Sequence, residues 1–158
     1  MKVCSLVVLV ALFLAAPFSL KVRSNTITID LQSHQLNYFD GEAGINVTYP
    51  IVSPKENALN VYRSFNNFNI DDMQLSPNWI SLDGRKFSGN SPGNPMGSAR
   101  IRFVSVREGF RRNCSIHGNA RLSDLGQSLS NCCIRILNED IEELFFLIDY
   151  NTIIKFIY

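Results

Sequence analysis

From Thr26 onward the chain alternates. In "TITIDLQ", Ile27, Ile29 and Leu31 stand against polar neighbours. That period of two puts one face of a strand in a core and the other in water. "QLNYF" repeats it through Leu36 and Tyr38, Asp40-Gly41 supplies a turn, and "GINVTYPIV" alternates again through Ile45, Val47 and Tyr49. From Ser53 to Gly97 the chain is rich in Asn, Ser, Pro and Gly, and reads as long loops with a short helix. Two strands follow: "ARIRFVSV", through Ile101 and Phe103 and then imperfectly through Val104 and Val106, and "NCSIHG", ending near His117. "CIRIL" reads as a short apolar strand. Asn138 is placed to cap a helix over "EDIEELFFLI", with Glu139 and Asp140 favourable near its N-terminus. Ile141, Leu144, Phe145 and Ile148 then fall on one face. "NTIIKFIY" closes the chain as a last strand, giving a mainly β domain with one helix and no internal repeat.

The first residues break this pattern. In "MKVCSLVVLVALFLAAPFSL", Lys2 precedes an unbroken apolar run from Leu6 to Ala16, and Ala15 and Ala16 close it before Pro17. Residues 1–23 therefore read as a secretory signal or as an uncleaved membrane anchor through residues 3–20. Either places the protein outside the cytoplasm, in the periplasm or cell envelope, with residues 24–158 as its working domain. Cys4 lies too early, and without small residues before it, to be a lipoprotein acylation site. The 158 residues suffice for one domain beyond that leader, and 46% hydrophobic against 18% charged residues fits a packed core. A net charge of +1, with no stripe of Lys and Arg, gives no electrostatic basis for nucleic acid binding.

Export changes the meaning of the cysteines. Without the leader, Cys114, Cys132 and Cys133 remain, an odd number in an oxidising compartment. One thiol must then stay outside any intrachain pair. His117 lies 16 residues before Cys133, which sits in a Ser/Gly-punctuated turn. A cysteine nucleophile needs a base or cation to form the thiolate and donors for the oxyanion it creates. Spacing alone leaves two readings open, a nucleophile served by His117 and a small buried hydrophobe. His34 falls in a hairpin turn and reads as solvated, and no cluster with metal-ligand spacing is visible. Arginines 100, 102, 107, 111 and 112 read as ordinary solvated strand faces and a turn, with a positive field around a thiolate as the rival. Asn46 and Asn113 each open a glycosylation sequon, a pattern short enough to arise by chance.

The segment "IHGNARLSDLGQSLSNCCIRI" resembles the signature of the L,D-transpeptidase (YkuD) family. That signature runs His-Gly, a Gly nine residues after the His, then Ser-x-Gly-Cys followed by Ile or Val and Arg or Asn. This chain supplies His117-Gly118, Gly126, Ser130 and Cys133-Ile134-Arg135 in that register. "NTITIDLQSHQLNYF" resembles the family's opening hairpin, "SPNWISLDGR" and "PGNPMGSARIRF" its two loop motifs, and "LNEDIEELFFLIDYNTIIKFI" its closing helix and strand. The likeness spans roughly residues 25 to 158.

The resemblance implies a β-sandwich of mixed sheets with one helix after the catalytic cysteine loop. It implies Cys133 as nucleophile, His117 as its base, and Gly118 as a support for the imidazole. Backbone N–H groups of Asn131, Cys132 and Cys133 would form the oxyanion hole, with Ser130 in support. Arg135 would either orient a substrate carboxylate or brace the loop through an ion pair. The implied reaction, needing no metal or cofactor, is acyl transfer on peptidoglycan stem peptides through a thioester, with release of D-alanine. Transfer to another stem gives a 3→3 cross-link, transfer to water an L,D-carboxypeptidase, and transfer to a lysine a wall-linked lipoprotein. Carbapenem-type inhibitors would acylate such a site. A non-catalytic or redox-gated wall-binding domain is the alternative of another class.

Two positions depart from the signature. Asn131 replaces a common His, which matters little with the base upstream at His117. Cys132 replaces a Gly, where a side chain would strain the turn or crowd substrate. A slightly different turn, a disulfide to Cys114, or a vicinal disulfide to Cys133 are the three outcomes open to it.

Overall fold

The computed structural model describes residues 25–65, 67–81, 83–89, 91–105 and 114–158. The leader, Val106, arginines 107, 111 and 112, and Asn113 lie outside the described residues. β1 (Asn25–Asp30), β2 (Gln35–Asp40) and β3 (Ile45–Pro50) form an antiparallel meander. Its alternation holds, with Ile27, Ile29, Leu36, Tyr38 and Tyr49 buried. His34 is not simply solvated in the first turn: its Nδ1 lies 2.9 Å from Ser53 Oγ, and its carbonyl accepts the Ile51 N–H. The turn thus ties β2 to the chain that leaves β3.

The segment read as loops contains more order than its composition suggests. After β4 (Ser53–Pro54) and the one-turn α1 (Asn60–Arg63) comes β5 (Phe68–Leu75), a strand of eight residues, then a small hairpin of β6 (Trp79–Ile80) and β7 (Lys86–Phe87). β5 escaped the period-two pattern because it is bulged. Phe68 and Ile70 face the core, the register against β8 (Ala99–Ser105) shifts between Ile70 and Asp72, and Met73 then pairs with Ile101. The extra residue flips the parity, so no single alternation runs through "FNIDDMQL". Its acidic residues answer the basic face of β8, with Asp72 to Arg100 at 2.7 Å and Asp71 to Arg102 at 3.0 Å. These two arginines are therefore ion-paired and only partly exposed, not the ordinary solvated face expected.

The remaining elements are β9 (Ser115–His117), β10 (Ser128–Ser130), β11 (Ile134–Arg135), α2 (Asn138–Leu147) and β12 (Ile153–Ile157). Among the described residues, eight strands make one mixed sheet in the order β11-β9-β8-β5-β12-β1-β2-β3, and β10 pairs with β4. The chain is thus mainly β, with its long helix following the Cys133 loop, as expected. Ile141 and Leu144 of α2 are fully buried, and Tyr38 donates to the Leu147 carbonyl at 2.8 Å, fastening the helix end to β2.

Asn138 does not cap α2. Leu137 is the cap residue, without a side-chain bond, and Asn138 begins the helix itself. Its Oδ1 instead accepts the N–H groups of Ser98, at 3.1 Å, and Asn119, at 2.9 Å. A Cβ on Gly118 would come within 2.3 Å of that same oxygen, so glycine there lets the strap close. The helix start is thereby bolted to the chain on either side of the β8–β9 pair. Replacing Asn138 by Ala should lower stability by about 1 kcal/mol, while Asn138→Asp, which keeps the acceptor, should recover most of it. Urea denaturation of the two variants checks this.

Candidate active site

β9 and its neighbours sort the candidate residues by parity. Against β8, Arg100 pairs with His117, Ile101 with Ile116, and Arg102 with Ser115. Against β11, which runs parallel, Ile134 pairs with Ile116 and Arg135 with His117. Directly opposed residues share a face of the sheet. Ile101, Ile116 and Ile134 are fully buried in the core, so Arg100, Arg102, Ser115, His117 and Arg135 occupy the other face. Carried one residue before β11, the same alternation puts Cys133 with Ser115, and their Sγ and Oγ atoms lie 3.9 Å apart.

Cys132 and Cys114 have the opposite parity and meet on the core side. They form a disulfide with Cα atoms 5.5 Å apart, Cys114 buried and Cys132 packed against the core. Of the three outcomes open to Cys132, the pair with Cys114 is the one realised, and Cys133 lies outside it. The turn does not need glycine at 132: His34, Ser76 and Asn119 are the described non-glycine residues at positive φ, and Cys132 is not among them. The cross-link spans 18 positions, a loop whose closure restricts the unfolded chain by about 3 kcal/mol.

Hydrogen bonds fix the turn from within. Tyr62 donates its hydroxyl to the Cys132 carbonyl, and Ser130 donates its own to the Cys133 carbonyl. The Ser130 carbonyl accepts from Lys55 N–H at 2.9 Å, and Val52 and Arg135 exchange backbone bonds at 2.8 and 3.1 Å. Gly126 takes φ +77°, a left-handed conformation that suits glycine, and donates to the Ile51 carbonyl at 3.0 Å. Asn131 stands exposed at the tip.

Cys133 opens into a cavity of about 240 Å³. Arg100, Arg102, Ser115 and Met96 line it with the thiol, together with Asn78 and with Trp79 and Ile80 of the hairpin. The buried amide of Asn94 holds that hairpin in place, donating to the carbonyls of Pro77, at 2.7 Å, and Ser88, at 3.1 Å. His117 sits behind this wall, 4% exposed. Its Nδ1 lies 2.9 Å from the Gly118 carbonyl, which can only accept, so Nδ1 carries the hydrogen and Nε2 keeps its lone pair. Burial, with Arg135 and Arg100 adding to it, pushes the imidazole down to about 4. Near neutral pH the ring is therefore an uncharged base with one tautomer selected.

Arg135 makes no ion pair among the described residues, and its Nε is buried without a partner. The loop-bracing pair is absent there, so the guanidinium keeps its charge on the histidine's face. Ser115, Tyr62 and the Asp71 and Asp72 pairs escaped the sequence reading. Parity with His117 alone would have singled out Ser115, whereas Tyr62 acts across 70 positions and leaves no local signal.

The model of the L,D-transpeptidase catalytic domain matches residues 24–155. Solved structures of similar fold include L,D-transpeptidase 3 from Mycobacterium tuberculosis (TM-score 0.62, 14% identity), covering 86% of this chain and 62% of that one. The same protein bound to a faropenem-derived adduct matches at TM-score 0.62 and 14% identity, covering 86% and 61%. The catalytic domain of the Enterococcus faecium L,D-transpeptidase acylated by ertapenem matches at TM-score 0.55 and 16% identity, covering 85% of this chain and 98% of that domain. The chain thus spans somewhat under two thirds of the M. tuberculosis chains. No curated protein matches.

The buried histidine sets a pH dependence. An unfolded imidazole takes up a proton below about 6.5, the folded one only below about 4. The unfolded state therefore binds more protons between those values, and stability falls as pH falls through that window. The loss attributable to His117 should approach about 3 kcal/mol by pH 4. Denaturant midpoints measured from pH 7 to pH 4 should fall less steeply in His117→Gln than in the parent.

Proposed function

The chain belongs to the L,D-transpeptidase catalytic-domain family, and on that premise we propose that it is an exported cysteine L,D-transpeptidase of the cell wall. Its substrates in this reading are peptidoglycan stem peptides, joined as 3→3 cross-links. The observation that carries the reading is the division of labour between adjacent cysteines. Cys132 is held in a core-side disulfide, while Cys133 presents its sulfur to the cavity on the face shared with His117.

In the proposed reaction His117, neutral and tautomerically fixed, accepts the thiol proton at Nε2. The Cys133 sulfur then adds to the carbonyl carbon of the third stem residue. A C–S bond forms, the carbonyl π electrons move to oxygen, and the resulting oxyanion is met by N–H groups of the 131–133 turn. Collapse breaks the C–N bond, and D-alanine leaves with the proton returned from His117. An amine of a second stem then attacks the thioester, its proton passing to His117 as the C–N bond forms and the C–S bond breaks, which restores the cysteine. Arg135, whose charge no described carboxylate neutralises, supplies a partner for a substrate carboxylate. The apolar leader delivers the domain to the compartment in which this substrate lies.

Ertapenem, which acylates the E. faecium relative, is the proposed probe. Intact mass spectrometry should find one adduct on the parent protein without added reductant, since Cys133 lies outside the disulfide. Cys132→Ala should retain the adduct and Cys133→Ala should lose it. An adduct that persists in Cys133→Ala sinks the assignment, and one that forms only after reduction favours the redox-gated alternative.

A further inference from the structure

The Cys132–Cys133 peptide is aimed by a residue remote from the cavity. Tyr62 lies on the one-turn α1, 70 positions before the turn it contacts, and its side chain is 1% exposed. Its ring stacks on Phe156 at 4.2 Å, meets Phe68 edge-on at 5.9 Å and lies tilted against Phe103 at 6.2 Å, so close packing holds the ring in place. From that fixed place the hydroxyl donates to the Cys132 carbonyl.

A trans peptide is planar, and its C=O and N–H point in opposite directions. The structure contains no cis peptide among the described residues. A Cys132 carbonyl turned to the core-bound Tyr62 therefore turns the Cys133 N–H away from the core, to the face where the cavity lies. The disulfide from Cys132 to Cys114 holds the same residue on the core side and opposes rotation of that plane. We propose that Tyr62 is a positioning residue for the oxyanion hole: its hydroxyl fixes the peptide plane that delivers the Cys133 N–H to the acyl oxygen. Ser130 steadies the following carbonyl in the same manner.

This inference rests on Cys133 being the acylated residue, and two reagents separate the two ideas. Ertapenem acylation passes through an oxyanion. Alkylation by iodoacetamide, in which sulfur displaces iodide at a saturated carbon, does not. Tyr62→Phe keeps the aromatic packing and removes only the hydroxyl. Its acylation rate constant should fall about 10- to 100-fold, less than or equal to the cost of deleting an oxyanion donor. The non-covalent affinity for ertapenem and the rate of iodoacetamide alkylation at Cys133 should stay within about twofold of the parent, as should the pH profile of alkylation.

An unchanged acylation rate in Tyr62→Phe overturns the proposal. So does a parallel fall in acylation and alkylation, which would mark Tyr62 as a general support of the turn, or a loss of acylation accompanied by faster alkylation and a collapsed denaturant midpoint, which would mark it as a residue needed for folding alone. Failure of the premise looks different, because the adduct would then form in Cys133→Ala whatever residue stands at 62.

Discussion

The parallel pairing of β9 with β11 is the constraint on which the site depends. Ile116 and Ile134 lie side by side, each fully buried, and a strand can bury only every second residue on one face. Once these two isoleucines are committed to the core, the parity of every neighbour is settled. Cys114 and Cys132 turn inward and bond to each other, while Ser115, His117, Cys133 and Arg135 turn to the cavity side. A slip of one residue in this pair would exchange the two sets, removing the thiol from the cavity and placing charged groups in the core. The energetic penalty for exposing two isoleucines and burying Arg135 thus protects the arrangement of the cavity face. Cys132, which takes the place of a glycine in the family signature, is accommodated by this parity and does not crowd the cavity.

Electrostatics follow from the same face. Two of its arginines are answered by aspartates that the bulge in β5 brings opposite them, and Arg135 is not answered among the described residues. Desolvation, with Arg135 and Arg100 adding to it, holds the buried His117 neutral. A neutral imidazole with its hydrogen on Nδ1 is the form that can take a proton from a thiol. The proposed acyl transfer therefore draws on one buried base and on fixed dipoles of the 131–133 turn.

Much of this was legible in the sequence because the relevant signals were local. Ile27, Ile29, Leu36 and Tyr38 announced the hairpin, Ile141 and Leu144 the helix face, and His117-Gly118 with Cys133-Ile134-Arg135 the segments that β9 and β11 bring side by side in the candidate site. What escaped reading depended on distance or on broken period. The bulge in β5 reversed its alternation midway and disguised a central strand as loop. Asn138 looked like a helix cap because its type and position fit one, yet its oxygen is taken by Ser98 and Asn119 from other parts of the chain. The fate of Cys132 was a choice among partners that only the facing of β9 and β11 decides. Tyr62 reaches the site through tertiary packing of aromatic rings, which no spacing rule anticipates.

The most direct test of this account is to label thiols in the native, non-reduced protein and locate both label and disulfide by fragment mass spectrometry. Of the cysteines at 114, 132 and 133, the account predicts label on Cys133 alone, with Cys114 and Cys132 recovered as a cross-linked pair. Label on Cys114 or Cys132, or a bond between Cys132 and Cys133, would contradict the parity that assigns one cysteine to the core and its neighbour to the cavity.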